Sequence, residues 1–229
     1  MRMILTAASR SILTAMFLLG VVSAATPGDL SKYRNFQLGS DLATVAAQAG
    51  EKAGQANLVA SRPARIQKLE WSPQLVGSSA QPEPVRNVLF SFYNDQLYQI
   101  TVDYDRYKTE GLTADDIVGS ISAANGMIAT HPVIDKALQS PYAVPEELLG
   151  RWEDAQYRVD LVRTYGPAFR LIATVKDLES PVNAALLEAK RLDTQEAPQR
   201  EAARATEEAQ TEQARLEKLR LVNKPKFRP

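Results

Sequence analysis

Few side chains in this 229-residue chain are of a type and spacing that could do chemistry. There is one histidine, His131 in ATHPV, and no cysteine. A Ser-His-Asp relay, a two-histidine metal site, a thiolate zinc site and a thiol nucleophile each need residues that the chain lacks or has once. A lone histidine before proline reads as a loop residue. The richest titratable cluster is acidic: Asp103, Asp105 and Glu110, followed by Asp115 and Asp116. Its spacing misses the glycine and terminal glutamate of a calcium-binding loop. A paired-carboxylate hydrolase could draw on this cluster, or on Glu146, Glu147, Glu153 and Asp154. Carboxylates also suit a strand end and a first helical turn without any catalytic duty.

Within the same stretch, Tyr104, Arg106, Tyr107 and Lys108 interleave aromatic and basic side chains, a pattern that can bind a ligand or partner. A second basic group, Lys224, Lys226 and Arg228, closes the chain. No phosphate loop, dinucleotide fingerprint or nucleophile elbow occurs, so neither cofactor nor metal is expected. Lysine plus arginine (27) equals aspartate plus glutamate (27), which leaves no global field to steer nucleic acid or an anionic membrane.

The element that carries the first cluster is RNVLFSFYNDQLYQITVDYD, residues 86–105. Val88, Phe90, Phe92, Tyr98, Ile100, Val102 and Tyr104 alternate with mostly polar neighbours, as in two strands with one buried face. A three-residue loop, Asn94-Asp95-Gln96, would pair Phe92 with Tyr98 and Phe90 with Ile100, bringing the apolar faces together. Truncating Phe90 or Ile100 should therefore damage a core.

Before this hairpin, Thr26 to Asn35 is polar and reads as a lead-in. Ser40-Asp41 caps a helix with Leu42, Val45, Ala46 and Ala49 on one stripe and Gly50 at its end. Glu51 to Arg62 is alanine-rich and ambiguous, with a short helix one reading, and IQKLEW (66–71) is a strand. After the hairpin, Thr113 and Asp116 form a capping box for a helix with Ile117, Val118, Ile121 and Ala124 inward, closed by Asn125-Gly126. Met127 to Pro145 is irregular. Leu148 to Asp154 carries the second tryptophan, and Tyr157 to Asp177 is a second hairpin around Gly166-Pro167-Ala168.

The expected fold is α+β, with helices on an antiparallel sheet. The element order suggests two α-β-β-β units, 36–105 and 112–177, inside a domain of 26–179. One observation opposes a repeat: aligning Tyr93 with Tyr165 puts the apolar even face of the first hairpin on the polar Arg158–Asp160 face of the second. Residues 180–229 form a charged tail, helical or disordered, starting at the cap Ser180-Pro181 and interrupted at Pro198. No apolar heptad runs through it.

Residues 1–25 read as a signal peptide, with Arg2 and Arg10, the apolar run Ile12 to Val22, and small residues before a cut after Ala25. The alternative is an uncleaved anchor. The expected location is periplasmic or secreted, and the absence of cysteine excludes a lipidated N-terminus and favours bacterial export.

NFQLGSDLATVAAQAG, LEW and FSFYNDQLYQITVDYDRYKTEGLT, with RLDTQEAPQRE and LVNKPKFRP, resemble a group of uncharacterised exported bacterial proteins; that resemblance implies no activity. More distantly, Phe36, Leu38, Gly39 and the hairpin are similar to small outer-membrane-assembly lipoproteins and the β-lactamase-inhibitor-like fold. That resemblance implies a protein-binding module, and the missing lipidated cysteine departs from it. The expected function is thus a non-catalytic envelope interaction module with a protein partner and possible peripheral envelope contact through the tail. A polysaccharide hydrolase and a small-ligand binder are the alternatives.

Overall fold

The computed structural model describes residues 28–73, 84–130, 147–164, 168–226 and 228. The expected signal segment, His131, Glu146 and the 165–167 turn lie outside these residues. The fold is α+β, and its largest element is a seven-stranded antiparallel sheet.

The central hairpin joins β5 (Val85–Tyr93) to β6 (Gln96–Tyr104), with a tighter turn than the expected three-residue loop. Tyr93 pairs with Gln96, and Asn94 and Asp95 take φ of 47° and 71°, the left-handed pair of a two-residue hairpin turn. Such a turn alone would set apolar against polar rows. The chain corrects this with a bulge: Phe92 pairs with Leu97, then the register slips so that Ser91 faces Gln99 and Phe90 faces Ile100. Tyr98 is the extra residue. Contrary to expectation it leaves the main apolar face and packs on the other side with Ile66, Val182 and Ala185. Burial there raises the Tyr98 phenol pKa, against a smaller opposing effect of its bond with Ser91.

Turn chemistry also ties the hairpin to α1 (Leu42–Ala49). The Leu42 amide donates to the Asp95 carboxylate (3.3 Å), and Asp41 caps the helix by accepting from the Thr44 amide (2.8 Å). Gly50, at φ 72°, ends it, and the buried residues are Leu42, Val45, Ala46 and Ala49. The lead-in is fastened rather than free. Leu30 and Ser31 are buried, the Gly28 amide donates to the Asn125 carbonyl, and β1 (Lys32–Tyr33) pairs with β2 (Phe36–Gln37). After α1 the ambiguous segment forms one 3-10 turn, Ala53–Gln55, and then β3 (Asn57–Ala60), because pairing with β4 (Ile66–Trp71) outweighs the helix preference of alanine.

α2 (Ala114–Asn125) has the capping box, with the Asp116 amide donating to Thr113 Oγ1 and the Thr113 amide to Asp116. Ile117 is buried and Val118 and Ile121 are partly so, whereas Ala124 is exposed and off the stripe. Then come β7 (Glu147–Glu153), β8 (Tyr157–Arg163) and β9 (Phe169–Val175). The sheet order is β3-β4-β5-β6-β9-β8-β7, so the two hairpins meet where Ile100 faces Ala173 and Val102 faces Leu171.

The pairing rows of the two units correspond. Phe90–Ile100 matches Leu161–Leu171, Val88–Val102 matches Val159–Ala173, and Trp71 and Trp152 stand opposite Val88 and Val159. The parity objection disappears, because an alignment through the tyrosines is one residue out. The second hairpin has no slip between Tyr157–Val175 and Arg163–Phe169, whereas the first has two, at Tyr98 and between Val85 and Asn87.

α1, α2 and the Phe36–Leu38 segment cover one sheet face. Phe36 lies 4.5 Å from Phe90 and 5.1 Å from Trp71 between ring centroids. The other face divides. Over β3, β4 and β6 it is apolar and covered by α3 (Lys176–Asn223). Over β7, β8 and β9 it carries charge: Asp160 accepts from Arg151 (2.6 Å) and Arg158 (3.0 Å), and Arg158 reaches Glu179 (2.6 Å).

α3 begins directly after β9 at Lys176, ahead of the expected cap at Ser180-Pro181, and runs through Pro198 instead of ending there. Its start belongs to the fold, since Val182 and Ala185 are buried and Leu178, Leu186 and Ala189 pack around them. The boundary expected at residue 180 therefore cuts through a packed helix. Pro198 lacks an amide hydrogen, which removes the helical donor to the Thr194 carbonyl, and nearby the Asp193 carbonyl accepts from Arg200 (2.9 Å). Every described residue from Pro198 onward is exposed.

Candidate functional site

Three surfaces are built well enough to receive something, and the first holds the predicted basic-aromatic stretch. Beyond β6 the chain reverses on Asp105, whose carboxylate accepts from the Tyr107 amide (2.8 Å) and whose carbonyl accepts from Thr109 Oγ1 (2.9 Å). This turn pushes Arg106 and Tyr107 outward. The Arg106 guanidinium lies 4.4 Å from the Tyr107 ring centroid and contacts its hydroxyl, and that bond, then the charge interaction with Tyr107, raises the arginine's pKa. Tyr107 is 70% exposed.

A cleft of about 510 Å³ opens between this loop and the ends of β8 and β9, lined by Arg106, Tyr107, Glu110, Leu112, Arg163 and Phe169 among others. An adjoining hollow of about 340 Å³ takes in Arg86, Tyr104 and Ala168. The structure thus brings Tyr104, Arg106 and Tyr107 together; Lys108 is exposed but does not line either hollow. Sequence reasoning missed Arg163, whose guanidinium sits 5.8 Å from the Phe169 ring and which pairs with Glu147 (3.2 Å). Nothing local marks these two residues, because the hairpin register alone carries them here. The cleft offers guanidinium donors and aromatic faces for binding.

Three members of the acidic cluster have structural partners, and Glu110 lines the cleft. Asp103 accepts from Arg170 Nε (2.6 Å), Asp105 makes the turn and Asp116 the capping box. Glu153 pairs with Lys176 (3.4 Å), and Asp154 accepts from the Gln156 and Tyr157 amides (both 2.7 Å). Among the described residues no group of three or more His, Cys, Asp or Glu could hold a metal ion.

The second surface is the β3 edge of the sheet. Leu58 and Val59 are 57% and 47% exposed. Between β3 and α3 runs a groove of about 500 Å³, lined by Val59, Ala60, Leu186, Ala189 and Ala197 and by the polar Lys190, Asp193 and Thr194. Arg62 with Glu196, and Arg200 with Asp193, frame one end. The opposite edge is protected: Thr130 exchanges both backbone bonds with Arg151 of β7 (2.8 and 2.9 Å). Among the described residues β3 pairs with β4 alone.

The third surface is the far end of α3, where Leu216, Leu219, Leu221 and Val222 are 44–70% exposed. The predicted basic residues Lys224, Lys226 and Arg228 lie just beyond, all exposed. No helix among the described residues is long and apolar enough to cross a membrane.

Comparison of the chain with protein families, with curated proteins and with solved structures gives no match.

Proposed function

We propose that the chain is an exported, non-catalytic protein-interaction module of the bacterial cell envelope, with the sheet as platform and α3 as docking arm. The observation that carries this reading is the β3 edge. Native edge strands are blunted by lysine, proline, bulges or a covering segment. β3 carries one bulge, at Val59, yet leaves Leu58 and Val59 exposed beside a groove lined by Val59, Ala60, Leu186, Ala189 and Ala197 together with Lys190, Asp193 and Thr194. That geometry suits an extended segment of another protein, which adds a strand to the sheet while its alternate side chains enter the groove. The basic run, apolar core and small residues of 1–25, with no cysteine in the chain, support export.

The alternative of carboxylate-dependent hydrolysis fares worse, since Asp103, Asp105 and Asp116 are already held in an ion pair, a turn and a cap. The test is co-purification from the envelope fraction. The wild-type chain should retain a protein partner in one-to-one ratio, and Val59→Lys, which places a charge on the edge, should lose it while folding normally. Retention of the partner by Val59→Lys, or turnover of peptidoglycan lost on substituting Asp103 and Asp105, would reject the reading.

A further inference from the structure

The far end of α3 is organised differently from the rest of the arm. At about 100° per residue, Leu216, Leu219 and Val222 fall on one ridge, exposed by 53%, 44% and 53%. On the same wheel Lys218 and Arg220 lie about 100° to either side of Leu219, the middle of a ridge about 120° wide. From Lys218 onward the chain has five cations, Lys218, Arg220, Lys224, Lys226 and Arg228, and no carboxylate side chain. In the preceding stretch, Glu201, Glu207, Glu208, Glu212 and Glu217 outnumber Arg204 and Arg215. A chain of zero net charge thus concentrates positive charge at the tip of an exposed rod.

We propose that this tip docks on an anionic lipid surface. The ridge enters the boundary between headgroups and acyl chains, the flanking Lys218 and Arg220 extend to the phosphates on both sides, and Lys224, Lys226 and Arg228 add charge. Charge complementarity selects the occupant, and the shape of the patch favours a plane over a protein groove. The short apolar ridge has cations on both flanks and three more beyond it, which matches a surface that is anionic at its plane and apolar beneath. The acidic stretch behind the tip is repelled by the same surface. From Pro198 to Leu216 the helix spans about 27 Å at 1.5 Å per residue, so the folded domain is held off the lipid. The proposal deepens the docking-arm reading of α3 and is independent of the β3 edge, so either can fail alone.

The test is co-sedimentation of the full chain with vesicles of phosphatidylglycerol and phosphatidylethanolamine, compared with phosphatidylcholine. Each cation near an anionic surface contributes about fivefold in partitioning. The triple variant Lys218→Gln, Arg220→Gln, Lys224→Gln should therefore bind the anionic vesicles about 100-fold more weakly than wild type. Leu216→Ala with Leu219→Ala should weaken binding further. These positions are exposed, so circular dichroism of the domain should be unchanged. Triple-variant binding equal to wild type, or a wild-type-to-variant difference that is the same on neutral vesicles, overturns the proposal. So does wild-type partitioning that is no stronger to the anionic vesicles than to phosphatidylcholine.

Discussion

Phe90→Ala is the substitution whose cost follows most directly from the structure. Phe90 is fully buried, with its ring centroid 4.5 Å from that of Phe36 and 6.4 Å from that of Trp71, and it stands opposite Ile100 in the central hairpin. Removing a buried phenyl ring costs about 3–5 kcal/mol in lost transfer energy and cavity. Loss of two aromatic contacts, each about 0.5–1.5 kcal/mol beyond area burial, places this site in the upper part of that range, about 4–5 kcal/mol. With a urea slope of about 2–3 kcal/mol per molar, the unfolding midpoint should fall by about 2 M. Tryptophan fluorescence can follow the transition, since Trp71 reports from the same cluster. Phe90→Leu, which keeps most of the volume, should lose less than half as much. Leu161→Ala, at the corresponding row of the second unit, should cost about 2–5 kcal/mol. A Phe90→Ala cost below about 1 kcal/mol would refute the packing, because the α1 side of the sheet could not then be the core.

Three further outcomes follow from the ion pairs, caps and tail. Asp160→Ala should cost about 1–3 kcal/mol by taking the carboxylate from Arg151 and one of two carboxylate partners from Arg158, which keeps Glu179, whereas Glu208→Ala, which breaks an exposed pair with Arg204, should cost less than about 0.5 kcal/mol; thermal denaturation distinguishes them. The Asp41 carboxyl is held below its usual range by the Thr44 amide and hydroxyl, and Asp116 by the Thr113 hydroxyl and amide. A depressed carboxyl contributes stability above the unfolded-state pKa, about 4, and loses it as pH falls through the folded-state value. Asp41→Asn with Asp116→Asn should accordingly flatten the acid limb of the stability profile below about pH 4, measured by urea midpoints. Deleting everything after Pro198 should leave the thermal midpoint nearly unchanged, while a cut after Ser180 should lower it sharply, since Val182 and Ala185 would be lost from the second core.

Much of the fold is legible locally. The caps at Asp41 and Thr113, the stops at Gly50 and Gly126, and the facing of Val88 with Val102 and Phe90 with Ile100 each depend on a few neighbouring residues, and each forms where expected. What was not legible depends on distant partners. The bulge at Tyr98 is chosen because α3 provides Val182 and Ala185 on the opposite face. β3 is a strand because β4 lies beside it, and Asn57 to Ala60 show no strand period of their own. Helix α3 passes Pro181 because its start is packed on the sheet through Val182 and Ala185, and it continues through Pro198. The candidate surfaces divide the same way. Arg106 and Tyr107 are visible as a local run, whereas Arg163, Phe169 and the β3–α3 groove are assembled by sheet order.

The central claim, that β3 receives a partner strand, is tested most directly by site-specific photo-crosslinking in cells. A crosslinking residue placed singly at Val59, and in a second variant at Tyr107, compares the edge with the basic-aromatic cleft. The account predicts one dominant protein adduct from position 59, abolished by Leu58→Lys in the same chain, and none of that mass from position 107. Adducts from position 107 with none from position 59 would contradict it and move the binding surface to the cleft beside Arg163.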